Sequence, residues 1–179
     1  EAVAAPKAAA AKPAPAKAAL DRAALDLSDA AAISRLVDAE QPDLVLNAAA
    51  YTAVDLAESE PALAHAINAG APAAFSKALA GAGRLVQVST DFVFDGQRGY
   101  SYPPDGIRNP QSVYGASKAA VTNYLEAVRC EMRGSGICIT TLSPGFIDTP
   151  LLAALPPGAK AALVAAHPIG RLGRPEEVA

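Results

Sequence analysis

Three short apolar runs, each ending in a polar or glycine-bearing turn, constrain this chain more than any other feature. They are "PDLVLNAAA" (42–50), "RLVQVST" (84–90) and "ICITTLS" (137–143). Each reads as a buried strand, and the stretches between them carry helical spacing. Such alternation predicts parallel βαβ units in an α/β, Rossmann-like, doubly wound parallel sheet. We expect strands over about 43–48, 84–89 and 137–142 to be neighbours or near-neighbours, flanked by helices. "SDAAAISRLVDA" offers Ser28 or Asp29 as N-cap and sets Ile33, Leu36 and Val37 on one face of a first helix. A second helix is expected over about 61–80, and a third carries Tyr114 and runs to about residue 133. Ligands of such sheets bind at the carboxyl ends of the strands, here Asn47 to Tyr51, Ser89 to Asp91 and Pro144 to Thr149.

With 179 residues the chain can build one domain with a real core and not two. It is 51% apolar with 5% aromatics and no Trp, so Ala, Val, Leu and Ile must supply the core. A net charge of −3 and the lack of a basic, aromatic-laced cluster argue against nucleic acid as a partner. No run of apolar residues is long enough to span a membrane. Cys130 and Cys138 fit neither a metal spacing nor a disulfide framework and read as reduced, half-buried thiols. His65 and His167 stand apart, so no metal site is readable. These features read as those of a cytoplasmic protein and leave room for a homo-oligomer. Residues 1–19, rich in Ala, Pro and Lys, read as a low-complexity arm. The ordered domain is expected over 20–179.

The chemistry centres on "SVYGASK" (112–118). On a helix Tyr114 and Lys118 share a face, so phenol and ammonium can enter one cleft. The pair alone leaves two readings open: an aromatic core residue with a solvated cation, or a proton donor with a cationic tuner.

"YGASK", preceded by "STD" and followed by "PGFIDTP", resembles the short-chain dehydrogenase/reductase superfamily. Residues 19–118 resemble the dTDP-4-dehydrorhamnose reductase family through "LDRAALDLSD", "PDLVLNAAAYTAVDLAESEP", "INAGAP", "STDFVFDG" and "NPQSVYGASK". From residue 112 to 179, "AAVTNYLEAVRCEMRGSGICITTLSPGFIDTP" and "IGRLGRPEEVA" are similar to single-domain short-chain dehydrogenases. The resemblance implies an NAD(P)H-dependent oxidoreductase reducing a carbonyl, a nucleotide-sugar ketone in the first family, to an alcohol. It makes Tyr114 the general acid and Lys118 the cation that lowers its pKa and reaches the nicotinamide ribose. Thr90 would hydrogen-bond the substrate carbonyl, with Ser89 as second candidate, and Asn68 would support the active-site water. Cofactor contacts, to NADP or NAD, fall on Arg22, Asp26 and Leu27 around the adenosine and on Ala48, Ala49 and Ala50 along the dinucleotide. Lys118, Pro144, Gly145, Ile147 and Thr149 would flank the nicotinamide. A guanidinium at Arg22 would favour NADP.

The sequence departs from the pattern in two places. The family's opening strand and glycine-rich turn, and its last strand, are not readable. "GAG" (81–83) and "GSG" (134–136) precede strands and are turns. A chain without that turn is expected to bind NADPH weakly and to expose an apolar face of its sheet. A non-catalytic Rossmann-like fragment or interaction module is the alternative reading.

Overall fold

A computed structural model describes residues 24–80, 83–98, 102–103, 105–131, 138–153, 155–166 and 170–177. The expected arm over 1–19 and the cofactor candidate Arg22 lie outside the described residues, as do His167 and most of both glycine turns.

Helix α1 spans Ala30–Glu40. Its N-cap is Asp29, whose Oδ1 accepts the N–H groups of Ala31 and Ala32 at 2.9 and 3.0 Å. Ser28 instead gives its hydroxyl to Asp26, 2.8 Å away. The helix stops at Gln41, whose φ of 44° is left-handed and whose N–H returns to Val37 O.

Strands β1 (Leu44–Asn47), β2 (Arg84–Val88) and β3 (Cys138–Leu142) form one parallel sheet in the order β1-β2-β3. Asn47 lies opposite Gln87 and Val88 opposite Leu142, so the carboxyl ends line up along one edge. The three strands are the neighbours that the sequence predicts. The class is the expected one: an α/β, Rossmann-like parallel sheet.

One face of the sheet holds the core. Leu85 and Ile139 point into a cluster with Ile33 and Val37 of α1, Phe75 and Leu79, and Val121 and Leu125. The other face is open among the described residues: Leu44 and Leu46 are 48% and 61% exposed. Expecting β1 to be buried is therefore right for the Val45–Asn47 face and wrong for Leu44 and Leu46. Alternation along a strand sends successive side chains to opposite faces, and only one face is packed.

The expected continuous helix over 61–80 is broken. Short helix α2 (Val54–Ala57) leads to α3 (Pro61–His65), a π turn (Ala66–Gly70) and α4 (Ala71–Ala78). Pro72 has no N–H to give the carbonyl of Asn68, and its ring would strike that carbonyl in a regular helix. The wider turn, in which Ala71 N–H bonds Ala66 O, accommodates it.

After β2 a 3-10 turn (Asp91–Val93) and a long loop lead to α5 (Val113–Glu131). Arg108 fastens that loop to α5 through a two-pronged contact with Glu126 and a 2.8 Å bond to Asn123. Helices α6 (Pro150–Ala153) and α7 (Pro157–Ala166) follow β3. A parallel bridge between Ile147 and Gly173 returns the chain to the cleft described below. Cys130 and Cys138 are exposed free thiols, not half-buried ones. Among the described residues no helix is long and apolar enough to cross a membrane.

Candidate active site

The end of β2 and the first turn of α5 bring the central residues together. Thr90 caps the 3-10 turn, its Oγ1 accepting Phe92 N–H at 3.3 Å, and donates to Asp91 at 3.1 Å. Thr90 thus caps a turn, and it lines the same cleft as the Tyr114 phenol, whose ionised form it favours. The Ser89 hydroxyl is directed to α5, where it lies 3.3 Å from that of Thr122. Of the two candidates for the carbonyl, only Thr90 acts on the phenol of Tyr114.

Tyr114 is half-buried and meets Phe92 edge-to-face, ring centroids 5.8 Å apart. Burial pushes its phenol above the usual value, the Thr90 hydroxyl opposes that, and the Asp91 carboxylate adds to it. This differs from the expected lowering by Lys118. The ammonium is buried, 2% exposed, and donates to Val88 O at 3.1 Å instead of to the phenol. Loss of hydration pulls Lys118 down to about 8. At neutral pH Tyr114 is thus a protonated phenol beside a cation that is still mostly charged.

Asn68 sits in the middle of the π turn, 1% exposed. Its Oδ1 accepts Tyr51 N–H at 2.8 Å, and its Nδ2 donates to Tyr51 O and Ser117 Oγ at 3.0 Å each. These bonds tie the turn after β1 to the residue preceding Lys118. Tyr51 is also held by its hydroxyl, which donates to Glu60 at 2.6 Å; that carboxylate pushes the Tyr51 phenol up to about 12.

A cleft of about 290 Å³ opens in front of Tyr114. It is lined by Ser89, Thr90 and Tyr114 on one side and by Pro144, Gly145, Ile147 and Thr149 on the other. All seven are residues that the sequence singles out. Phe146 and Leu152 complete the wall, and the sequence reading missed them. Phe146 stands inside the quoted "PGFIDTP", so its place beside Gly145 was the available signal.

The adenosine-side candidates are more scattered. Ala48 and Ala49 are exposed and Ala50 is half-buried just past β1. They form an open shelf of small side chains and not a packed helix–strand contact. The Asp26 carboxylate accepts the N–H and hydroxyl of Ser28 at 2.9 and 2.8 Å. Leu27 is half-buried against the core cluster. Sequence reasoning also missed Glu58, which accepts the N–H of Val113 at 2.8 Å, and the buried pair Asn47–Gln87, 2.8 Å apart within the sheet.

The chain is similar to known proteins. A dTDP-4-dehydrorhamnose reductase of Streptomyces griseus is 46% identical over 95 residues, covering 52% of this chain and 31% of that protein. A cis-4-hydroxycyclohexanecarboxylate dehydrogenase of Sinomonas cyclohexanicum is 40% identical over 100 residues, covering 56% of this chain and 36% of that one. The chain thus matches about a third of the length of these curated relatives. Among solved structures, dTDP-4-dehydrorhamnose reductase from Bacillus anthracis str. Ames in complex with NADP superposes with a TM-score of 0.64 at 25% identity, over 83% of this chain and half of that one. The family model described as the RmlD substrate binding domain matches residues 7–133, from before α1 through the helix that carries Tyr114 and Lys118, and the chain belongs to that family.

Proposed function

We propose that this chain reduces a carbonyl to an alcohol with NAD(P)H, as a short-chain dehydrogenase/reductase-type oxidoreductase, with Tyr114 as general acid. One observation carries the reading: Thr90 and Tyr114 line the same cleft, with the buried Lys118 one helical turn after Tyr114. The names of the relatives, and NADP in the solved structure, support the same chemistry.

The residues suit the nicotinamide end of such a cofactor. Pro144, Gly145, Ile147 and Thr149 offer it a mostly apolar wall, and the exposed Ala48 and Ala49 leave room for close approach past β1. Bound NAD(P)H supplies a hydride to the carbonyl carbon. Thr90 then holds the carbonyl oxygen, and Tyr114 gives its proton as alkoxide character develops. The phenol, kept protonated by burial, stands ready in the reductive direction. Lys118 stabilises the phenolate left behind, because its charge sits in a dry site where little water screens it. The substrate we assign is a nucleotide-sugar ketone of the dTDP-4-dehydrorhamnose type, after the relatives. Asn68 acts through the Tyr51 turn and Ser117.

The test pairs two measurements on the full chain. NADPH titrated by nicotinamide fluorescence should bind the native chain and Tyr114→Phe alike. Reduction of dTDP-4-dehydrorhamnose should fall about 10²–10⁴-fold in the variant. Near-normal turnover by Tyr114→Phe would put the proton elsewhere. No fluorescence change in either protein would favour the non-catalytic module.

A further inference from the structure

Helix α5 has no acid in its first turn. Ser112 is the cap, its hydroxyl accepting Gly115 N–H at 3.1 Å. Of the next three positions, the second is Tyr114 itself. The third is Gly115, where a Cβ would stand 2.3 Å from the carbonyl oxygen of Phe92. A local carboxylate at the third position, the usual partner of a capping serine, would collide with the turn that carries Thr90.

The acid comes from 55 residues upstream instead. The Glu58 carboxylate, just past α2, accepts the N–H of Val113 at 2.8 Å. Asn68 grips the same helix one turn on, at Ser117. Val113 and Ser117 are four apart and share a face; Tyr114 and Lys118 each follow one of them and share the next face. Each residue of the proposed chemistry therefore has an anchored residue immediately before it. We propose that Glu58 is a positioning residue: it caps α5 from outside the helix and so sets the Tyr114 hydroxyl against Thr90. The inference rests on the catalytic reading of Tyr114. It also gives the acidic end of "NAAAYTAVDLAESEP" a task beyond cofactor contact.

The experiment compares the full chain with Glu58→Ala, Glu58→Gln and, as a local charge control, Asp55→Asn. Amide exchange at Val113 should quicken about fivefold in Glu58→Ala, as loss of a cap implies, and not in Asp55→Asn. The ring signal of Tyr114, followed by NMR against pH, should titrate higher in Glu58→Ala, because the Thr90 hydroxyl that holds the phenol down is set less closely against it. With NADPH and dTDP-4-dehydrorhamnose, kcat should fall about tenfold while KM for NADPH stays level. Glu58→Gln keeps an oxygen acceptor and should restore most of all three. Unchanged Val113 exchange in Glu58→Ala would overturn the cap. Faster exchange with an unmoved Tyr114 titration would overturn positioning and leave a purely structural bond. Glutamine behaving like alanine would overturn the hydrogen-bond account. Should the native chain reduce no carbonyl, the catalytic reading fails, while exchange and titration still decide what Glu58 does to Tyr114.

Discussion

The stretch from β1 through α5 and the stretch from β3 to Glu177 supply opposite walls of one cleft, and they are held in different ways. The first is tied by side chains that cross long sequence distances: Asn47 to Gln87, Asn68 to Ser117, Lys118 to Val88 O, Ser89 to Thr122 and Glu58 to Val113. The Asn47, Asn68 and Ser89 bonds join buried side chains, and Lys118 reaches a part-buried backbone carbonyl. The second contributes Ile139 to the core cluster and pairs β3 along β2, but past β3 its described ties include the Ile147–Gly173 bridge and exposed ion pairs such as Lys160–Asp148 and Arg171–Glu177. Buried hydrogen bonds are costly to break because a polar group is left without water or partner, whereas exposed pairs lose little. The wall that carries Tyr114 is thus fixed by folding, and the facing wall is the more weakly held. Substitutions should divide along the same line.

The largest effect is expected at Lys118, where the first wall stores an electrostatic cost. Its ammonium, ordinarily near 10.5, falls to about 8 on burial. Below pH 8 it is charged in both folded and unfolded chains and its burial penalty is fully present. Between pH 8 and 10.5 the unfolded chain holds the proton more tightly than the folded one, so this group's contribution to stability rises with pH. The gain amounts to about 3 kcal/mol at its upper limit. Urea unfolding from pH 7 to 10.5 should show the native chain gaining on Lys118→Met through that window and not below it. Parallel curves would mean that the ammonium is hydrated and that this wall is no more buried than the other.

Gly115→Ala tests the same wall sterically. Its Cβ would meet the Phe92 carbonyl at 2.3 Å and Pro110 Cβ at 3.1 Å, so α5 and the Thr90 turn must part. Overpacking of this kind costs about 1–3 kcal/mol, read as a lower urea midpoint at unchanged slope. Tyr114 and Thr90 should draw apart with it. A variant as stable as the native chain would show that the turn yields freely and that the first wall is softer than its hydrogen bonds imply.

Much of that wall was legible in the sequence. Asp29, "DLVLN", "RLVQV" and "YGASK" are local signals, a cap, two apolar runs and an i, i+4 pair, and local physics decides them. What escaped depends on contacts between distant segments. Pro72 in the long helical pattern marked an interruption, but not that the π turn accommodating it would also carry Asn68 to both Tyr51 and Ser117. Glu58 carries no local signal, because its carboxylate meets Val113 only where α5 packs beside α2. The Lys118 charge was expected to act on Tyr114, a matter of spacing; its orientation toward Val88 O follows from where β2 ends. Leu44 and Leu46 were read as part of a buried strand, yet their exposure matches the apolar sheet face expected where the opening strand is not readable.

The smallest effect should come from the facing wall. Asp148 stands between Ile147 and Thr149, which line the cleft; its N–H bonds Gly173 O at 2.8 Å, and its carboxylate pairs with Lys160 at 2.8 Å. The two side chains are 53% and 37% exposed, so water screens the pair. Asp148→Asn keeps the backbone bond and removes only the charge. Stability should change by less than about 1 kcal/mol, and the change should vanish in about 1 M salt, where charges are screened over about 3 Å. Thermal melts of both proteins at low and high salt measure it directly. A loss of several kcal/mol that survives salt would mean that the ion pair pins the second wall as firmly as Asn68 and Glu58 pin the first. Both walls of the cleft would then be set by folding.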